Sequence, residues 1–184
     1  MVYSLYLYPH LSQEGVVSLS LKKSAIIKSL IDNFIIEYQE STLNRYSAGK
    51  RLMEFITFLG CSPSLSDGEI EPEININDYN QITGVGGDSI NTLRFPACKH
   101  IIKEPTTLLE QSINHPYWQC PECSNEGHID RINWRKSAAF SSLFIEIAPI
   151  FPKEAIPTDA LLSLLNKSSQ LDWAWFYSKS SPQI

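Results

Sequence analysis

The chain has 184 residues, 43% of them hydrophobic and 11% aromatic, which is ample for a folded core and excludes wholesale disorder. Its formal net charge is −5, whereas binding that depends on neutralising phosphates usually shows a basic excess, so this balance weighs against a nucleic-acid partner. One compact domain carrying an insertion is the expectation for this length.

No apolar run approaches the ~20 residues that span a bilayer, so no membrane partner is expected. The opening residues, MVYSLYLYPHL, lack the basic n-region and small-residue cleavage site of a signal peptide. Together these features predict a cytoplasmic, reduced protein. There, four cysteines suit metal or redox chemistry better than disulfides.

Residues 2–8 alternate aromatic and aliphatic side chains and stop at Pro9, which predicts a strand. Residues 12–15 read as a loop. Over 21–38, Ile27, Leu30, Ile31, Phe34 and Ile35 fall on one helical face, with Lys22, Lys28, Asp32 and Glu37 off it. Residues 51–60 are rich in β-branched and aromatic side chains and end at a Gly-Cys-Ser-Pro turn, so a second strand is expected.

The character then changes. Residues 62–78 carry Asp67, Glu69, Glu71, Glu73 and Asp78 with two prolines and no apolar period, the pattern of a solvated loop. Residues 74–83 and 89–95 are expected to pair as a hairpin across the glycine-rich 84–88. Residues 128–136 show partial alternation through Ile129, Ile132 and Trp134, consistent with a ribbon strand.

The C-terminal pattern is clearer. Residues 143–151 predict a strand with Glu146 and Pro149 at polar or edge positions. Pro157-Thr158-Asp159 opens a helix over 160–167. Residues 171–177 form a last strand, with Trp173, Trp175 and Tyr177 on one face and Phe176 on the other. Aromatics on both faces mean that both are covered or one is an interface, and core packing is the expectation. Residues 178–184 read as a frayed tail.

The order is thus βαβ, insertion, βαβ. That predicts an α+β fold, a ferredoxin-like βαβ–βαβ sandwich interrupted by a zinc-ribbon-like insertion. The first half covers 1–60, the insertion 61–140 and the second half 141–184. No internal repeat stands out, and such a fold hosts many functions.

Chemistry concentrates in 96–128. Cys120-Pro121-Glu122-Cys123 has the spacing of one pair of zinc ligands, and Cys98-Lys99-His100 is the second pair, with a one-residue gap shorter than usual. His128 and His115 are alternative fourth ligands. This stretch resembles a zinc ribbon or treble-clef-type knuckle, which implies a structural zinc ion. Trp118-Gln119-Cys120 ahead of the CPxC also resembles the active-site loop of thioredoxin-like proteins, but the residues after Cys123 make a poor helix start. No HExxH and no zinc-deaminase signature is present. Buried cysteines packing as small hydrophobes are the plainer alternative.

Four other features carry less. Cys61 ends a predicted strand but has no visible histidine partner. Gly84-Val85-Gly86-Gly87 lacks a phosphate-loop pattern and reads as a turn. Arg131, Trp134, Arg135 and Lys136 form a small basic patch with an aromatic, which suits interaction, although a solvated strand face is the commoner reason for it. The acidic stretch 67–78 is usually just solvated, but could meet a basic partner.

With no catalytic set in view, the expected function is a non-catalytic protein-interaction module with structural zinc. It would be an accessory subunit, an adaptor or an immunity/inhibitor-type protein, binding another protein. The alternatives are a zinc- or CPxC-dependent enzyme, redox or hydrolytic, and a zinc-ribbon nucleic-acid binder.

Overall fold

The computed structural model describes residues 3–10, 17–39, 43–58, 72–86, 92–112, 115–150 and 155–179. The expected loop at 12–15, Cys61 and the acidic positions 67–71 lie outside the described residues. Strand β1 (Tyr3–Pro9) leads to helix α1 (Val17–Asp32), the short strands β2 (Ile36–Tyr38) and β3 (Arg45–Ala48), one helical turn α2 (Leu52–Phe55), and β4 (Ile56–Phe58). The long β5 (Glu73–Gly86) follows. Then come two small hairpins, β6 (Leu93–Arg94) with β7 (Ile101–Ile102) and β8 (Tyr117–Gln119) with β9 (Glu126–His128), separated by helix α3 (Pro105–Gln111). A 3-10 turn (Ile129–Arg131), the long β10 (Ala138–Ile150), β11 (Ala155–Pro157), helix α4 (Asp159–Ser169) and β12 (Trp173–Lys179) complete the order.

The architecture is mixed α+β and rich in strands. One six-stranded antiparallel sheet runs in the order β12-β1-β10-β5-β3-β2. Its period of two sorts the side chains by face. Leu5, Leu7, Ile74, Ile76, Leu143, Ile145 and Ile147 point to one face and form a core with Ile26 and Leu30 of α1 and Leu161 and Leu165 of α4. Helix α4 starts where Thr158 Oγ1 accepts a hydrogen bond from the Leu161 N–H, an N-cap with Asp159 in the first turn.

The opposite face carries Ser4, Tyr6, Asn75, Phe144, Glu146 and Phe176, all buried. Tyr6 stacks on Phe176 with centroids 5.1 Å apart. Glu146 Oε1 accepts from Ser4 Oγ at 2.7 Å and Tyr6 OH at 2.8 Å, and Oε2 accepts from Asn75 Nδ2 at 3.5 Å. Those donors offset the cost of burying a carboxylate. Glu146 is therefore a buried anchor of the sheet, not the edge position its alternation suggested.

Several elements differ from the sequence reading. Helix α1 ends near Asp32 because Phe34 takes a left-handed φ of 57°, and Ile36–Tyr38 becomes a strand. Residues 51–58 are a helical turn and a strand, and β4 pairs with β11 outside the main sheet. The strand that continues the sheet is β5. Glu73–Asp78 is thus paired backbone instead of a solvated loop, and Asp78 meets Lys23 Nζ in an ion pair.

The expected hairpin between 74–83 and 89–95 does not form. Strand β5 pairs with β10 through Gly86↔Ala138, while Leu93 pairs with Ile102. Gly84 is needed for close approach rather than for turning. A Cβ there would lie 2.7 Å from both Leu109 Cδ1 and Phe140 Cε1. At the other end, Ser178 and Lys179 continue β12 instead of fraying.

A second core sits on the far ends of the two long strands. Ala138 and Phe140 of β10 join Leu93, Phe95, Ile102, Leu109, Trp118, Ile129, Ile132 and Trp134. The segment between β5 and β10 therefore has an apolar centre of its own, and this holds the two small hairpins in place.

Candidate metal centre

The two small hairpins share one construction. In the first, the Phe95 N–H donates to His100 O, and the Lys99 N–H donates to Phe95 O, both at 3.0 Å. In the second, the Cys120 N–H donates to Asn125 O at 2.8 Å and the Ser124 N–H to Cys120 O at 2.9 Å. Lys99 and Ser124 both take left-handed conformations, with φ of 62° and 58°. The flanking registers match as well, Arg94↔Ile101 in one and Gln119↔Glu126 in the other.

FPACKH and CPECSN are therefore two copies of one knuckle, 25 positions apart. Each carries proline second and cysteine fourth. The repeat escaped the sequence reading because the first position is Phe95 in one copy and Cys120 in the other. It also explains the short Cys98-Lys99-His100 gap. The first knuckle has no thiol at its opening position and supplies a ligand from its sixth, His100.

Facing each other, the knuckles bring Cys98, His100, Cys120 and Cys123 together. One ligand atom from each lies within 4.8 Å of all the others, close enough to bind one metal ion. Cys98 Sγ is 3.4 Å from Cys120 Sγ, and Cys120 Sγ is 3.8 Å from His100 Nδ1. Cys120 is fully buried, and Cys123 lies nearer the surface.

Local electrostatics prepare these thiols to ionise in turn. Burial opposes the Cys120 thiolate, yet the N–H groups of Glu122 and Cys123 and the thiols of Cys98 and Cys123 outweigh it and bring Cys120 down to about 7. For Cys123 the Asn125 N–H favours the thiolate. The Cys98 thiol, burial and the Cys120 charge together outweigh that and hold Cys123 above its ordinary range.

The other candidate ligands lie elsewhere. His128 Nδ1 is 2.7 Å from Asp130 Oδ1, and its ring meets Tyr117 edge-on at 5.4 Å. His115 follows α3 and is exposed. Neither joins the cluster. Strand β8 precedes Cys120, but the residue occupies a turn between β8 and β9 and not a helix start. That placement removes the helix-terminal activation on which a thioredoxin-like thiol depends.

The basic patch is also rearranged. Residues 129–131 form a 3-10 turn instead of a ribbon strand. Trp134 is buried, with Nε1 donating to Ile129 O at 3.1 Å and its ring 5.4 Å from Phe140. It packs and offers no face for stacking. Arg131, Arg135 and Lys136 remain exposed.

Comparison of the chain with protein-family models, curated proteins and solved structures finds no match. The functional reading therefore rests on the chemistry of the chain's own residues.

Proposed function

We propose that Cys98, His100, Cys120 and Cys123 hold one zinc ion as a closed structural site in a non-catalytic protein-interaction module. The observation that carries this is the convergence of four ligand atoms, one per residue, within 4.8 Å. Zinc takes sulfur at about 2.3 Å and imidazole nitrogen at about 2.0–2.1 Å, so tetrahedral neighbours stand roughly 3.5–3.8 Å apart. The Sγ–Sγ separation of 3.4 Å and the Sγ–Nδ1 separation of 3.8 Å lie within about 0.4 Å of that geometry. Three soft thiolates and one borderline imidazole make a donor set that suits zinc.

Four protein ligands leave no position for a water or substrate, which favours structure over catalysis. The ion would fasten two hairpins whose strands are only two or three residues long. The order β12-β1-β10-β5, with α1 and α4 on one face, supports reading the main sheet as ferredoxin-like. The paired knuckles between β5 and β10 would then be a zinc-ribbon-like insertion, lying within 61–140.

Partner binding is supported by apolar surface beside the metal. Ile101 is 50% exposed and Tyr117 69%. A groove of about 430 Å³ runs past Ile101, lined also by Phe95, His100, Leu108 and Pro121. A side chain from a partner protein suits such a groove. A cytoplasmic setting would keep the thiols reduced, and no helix among the described residues is long and apolar enough to cross a membrane.

Native mass spectrometry with and without a chelator tests the ion. One zinc mass per chain is expected, and its absence at saturating zinc overturns the site. Affinity capture with the wild-type chain and Ile101→Asp tests the surface. A partner captured by both equally, at equal zinc content, would place binding elsewhere.

A further inference from the structure

We propose that the cleft between residues 130–136 and the end of β1 binds a small organophosphate of nucleotide size. The cleft has a volume of about 380 Å³, within the ~300–1,000 Å³ usual for small-molecule sites. Tyr8 and His10 form one wall; Arg131, Arg135 and Lys136 belong to the other. None of the four metal ligands lines it, so it stands or falls apart from the zinc reading.

Its charge is one-sided. The single lining carboxylate, Asp130, is already engaged, 2.7 Å from His128 Nδ1 and 3.8 Å from Arg131 Nε. Among the described residues, Arg135 and Lys136 meet no carboxylate. Lys136 Nζ instead lies 3.9 Å from the centre of the Trp175 ring, which is not among the residues lining the cleft, so the arginines supply the nearer charge. In a chain of net charge −5, this is a local concentration of positive charge, and a concave wall focuses its field.

The backbone adds a second, independent observation. Arg135 and Lys136 take consecutive left-handed conformations, with φ of 51° and 58°. Glycine or asparagine adopts that region at less cost, and strain of this kind gathers at functional sites. Asn133 Oδ1 accepts from the Arg135 N–H at 3.0 Å, and Trp134 O accepts from the Ser137 N–H at 3.0 Å, which holds the turn. The turn therefore keeps two long cationic side chains at positions where a turn alone would favour glycine.

Guanidinium groups match phosphate oxygens by paired hydrogen bonds. The rings of Tyr8 and His10, 5.6 Å apart, give the flat remainder of the ligand an aromatic wall. A cleft of this size with few cations suits one phosphate and one ring. A nucleic-acid backbone calls instead for an extended track of cations.

Calorimetric titration of the purified full chain with adenosine monophosphate, and with inorganic phosphate as competitor, tests this. Saturable one-to-one binding is expected, displaced by phosphate. Arg131→Ala and Arg135→Gly should each weaken it about tenfold, the scale of one lost charge-assisted hydrogen bond. Arg135→Gly also relieves the strained φ, so its fold should survive, and unchanged melting and zinc content would show this. No saturable binding at millimolar probe, wild-type affinity in both variants, or binding of a short single-stranded RNA without the mononucleotide would each overturn the proposal.

Discussion

Phe95 and Cys120 hold the same position in two copies of one knuckle. Each donates its N–H to the carbonyl five residues on and accepts from the N–H four residues on. Cys120 contributes a thiol to the cluster, while Phe95 packs its ring 5.0 Å from Trp118 in the second core. The pair predicts a ligand exchange. Phe95→Cys combined with His100→Asn should keep one metal per chain and turn a three-thiolate site into a four-thiolate one. Cobalt substitution reads this as stronger thiolate charge-transfer absorbance; an unchanged spectrum, or loss of the metal, would contradict the equivalence.

Removing a ligand should act regionally. Cys120→Ser is expected to abolish metal binding and to loosen the core of Leu93, Trp118 and Trp134 while leaving that of Leu5, Ile76 and Ile145. Structural zinc contributes on the order of 10 kcal/mol in small modules, so hydrogen exchange at 92–137 should quicken by several orders of magnitude. A uniform change across both cores would show that the ion does not act locally.

Glu146 predicts a coupling energy. Tyr6→Phe removes one donor and should cost about 1 kcal/mol, whereas Glu146→Ala removes the acceptor that Ser4, Tyr6 and Asn75 share and should cost about 3 kcal/mol. The double variant should cost less than the sum. Additive losses in denaturant titrations would mean that the contacts contribute independently.

Buried tyrosines predict weakness in alkali. Burial pushes Tyr177 up to about 12, and its OH donates to Ala155 O at 2.6 Å. Burial, with help from Glu146, raises Tyr6 as well. The folded state therefore keeps protons that the unfolded chain releases near the ordinary value of 10. This contribution is intact below pH 10 and is lost as the pH rises toward 12. Denaturation midpoints and tyrosinate absorbance should show unfolding and ionisation together; full ionisation near pH 10 in a folded chain would be the contrary result.

Gly86 should resist substitution. Its φ is +119°, and a Cβ would stand 2.4 Å from Ser137 O, which is backbone. Gly86→Ala is expected to cost about 1–3 kcal/mol and to lower the melting temperature without lowering metal stoichiometry. A neutral effect would show that the end of the β5–β10 ladder is loosely held.

The sequence by itself determined the features with a local cause. Alternation from Tyr3 to Pro9 and over 143–150, the Thr158 cap and the CPxC turn are each specified by residues within a few positions of one another. Cys98, Cys120 and Cys123 could be named from spacing and donor chemistry, with His100 placed ahead of His128 and His115 for the fourth position, because a knuckle is a local object. What pairs with what was decided only in three dimensions. Strand β5 finds β10 some sixty residues later, and nothing in its composition distinguishes that ladder from a hairpin with its neighbour. The four-residue α2 is too short to show a helical period. Likewise the choice of His100 over His115 and His128 depends on how two knuckles face each other across a shared apolar core. The exchange of Phe95 for Cys120 hid their kinship, since one buries a ring where the other adds a thiol to the cluster.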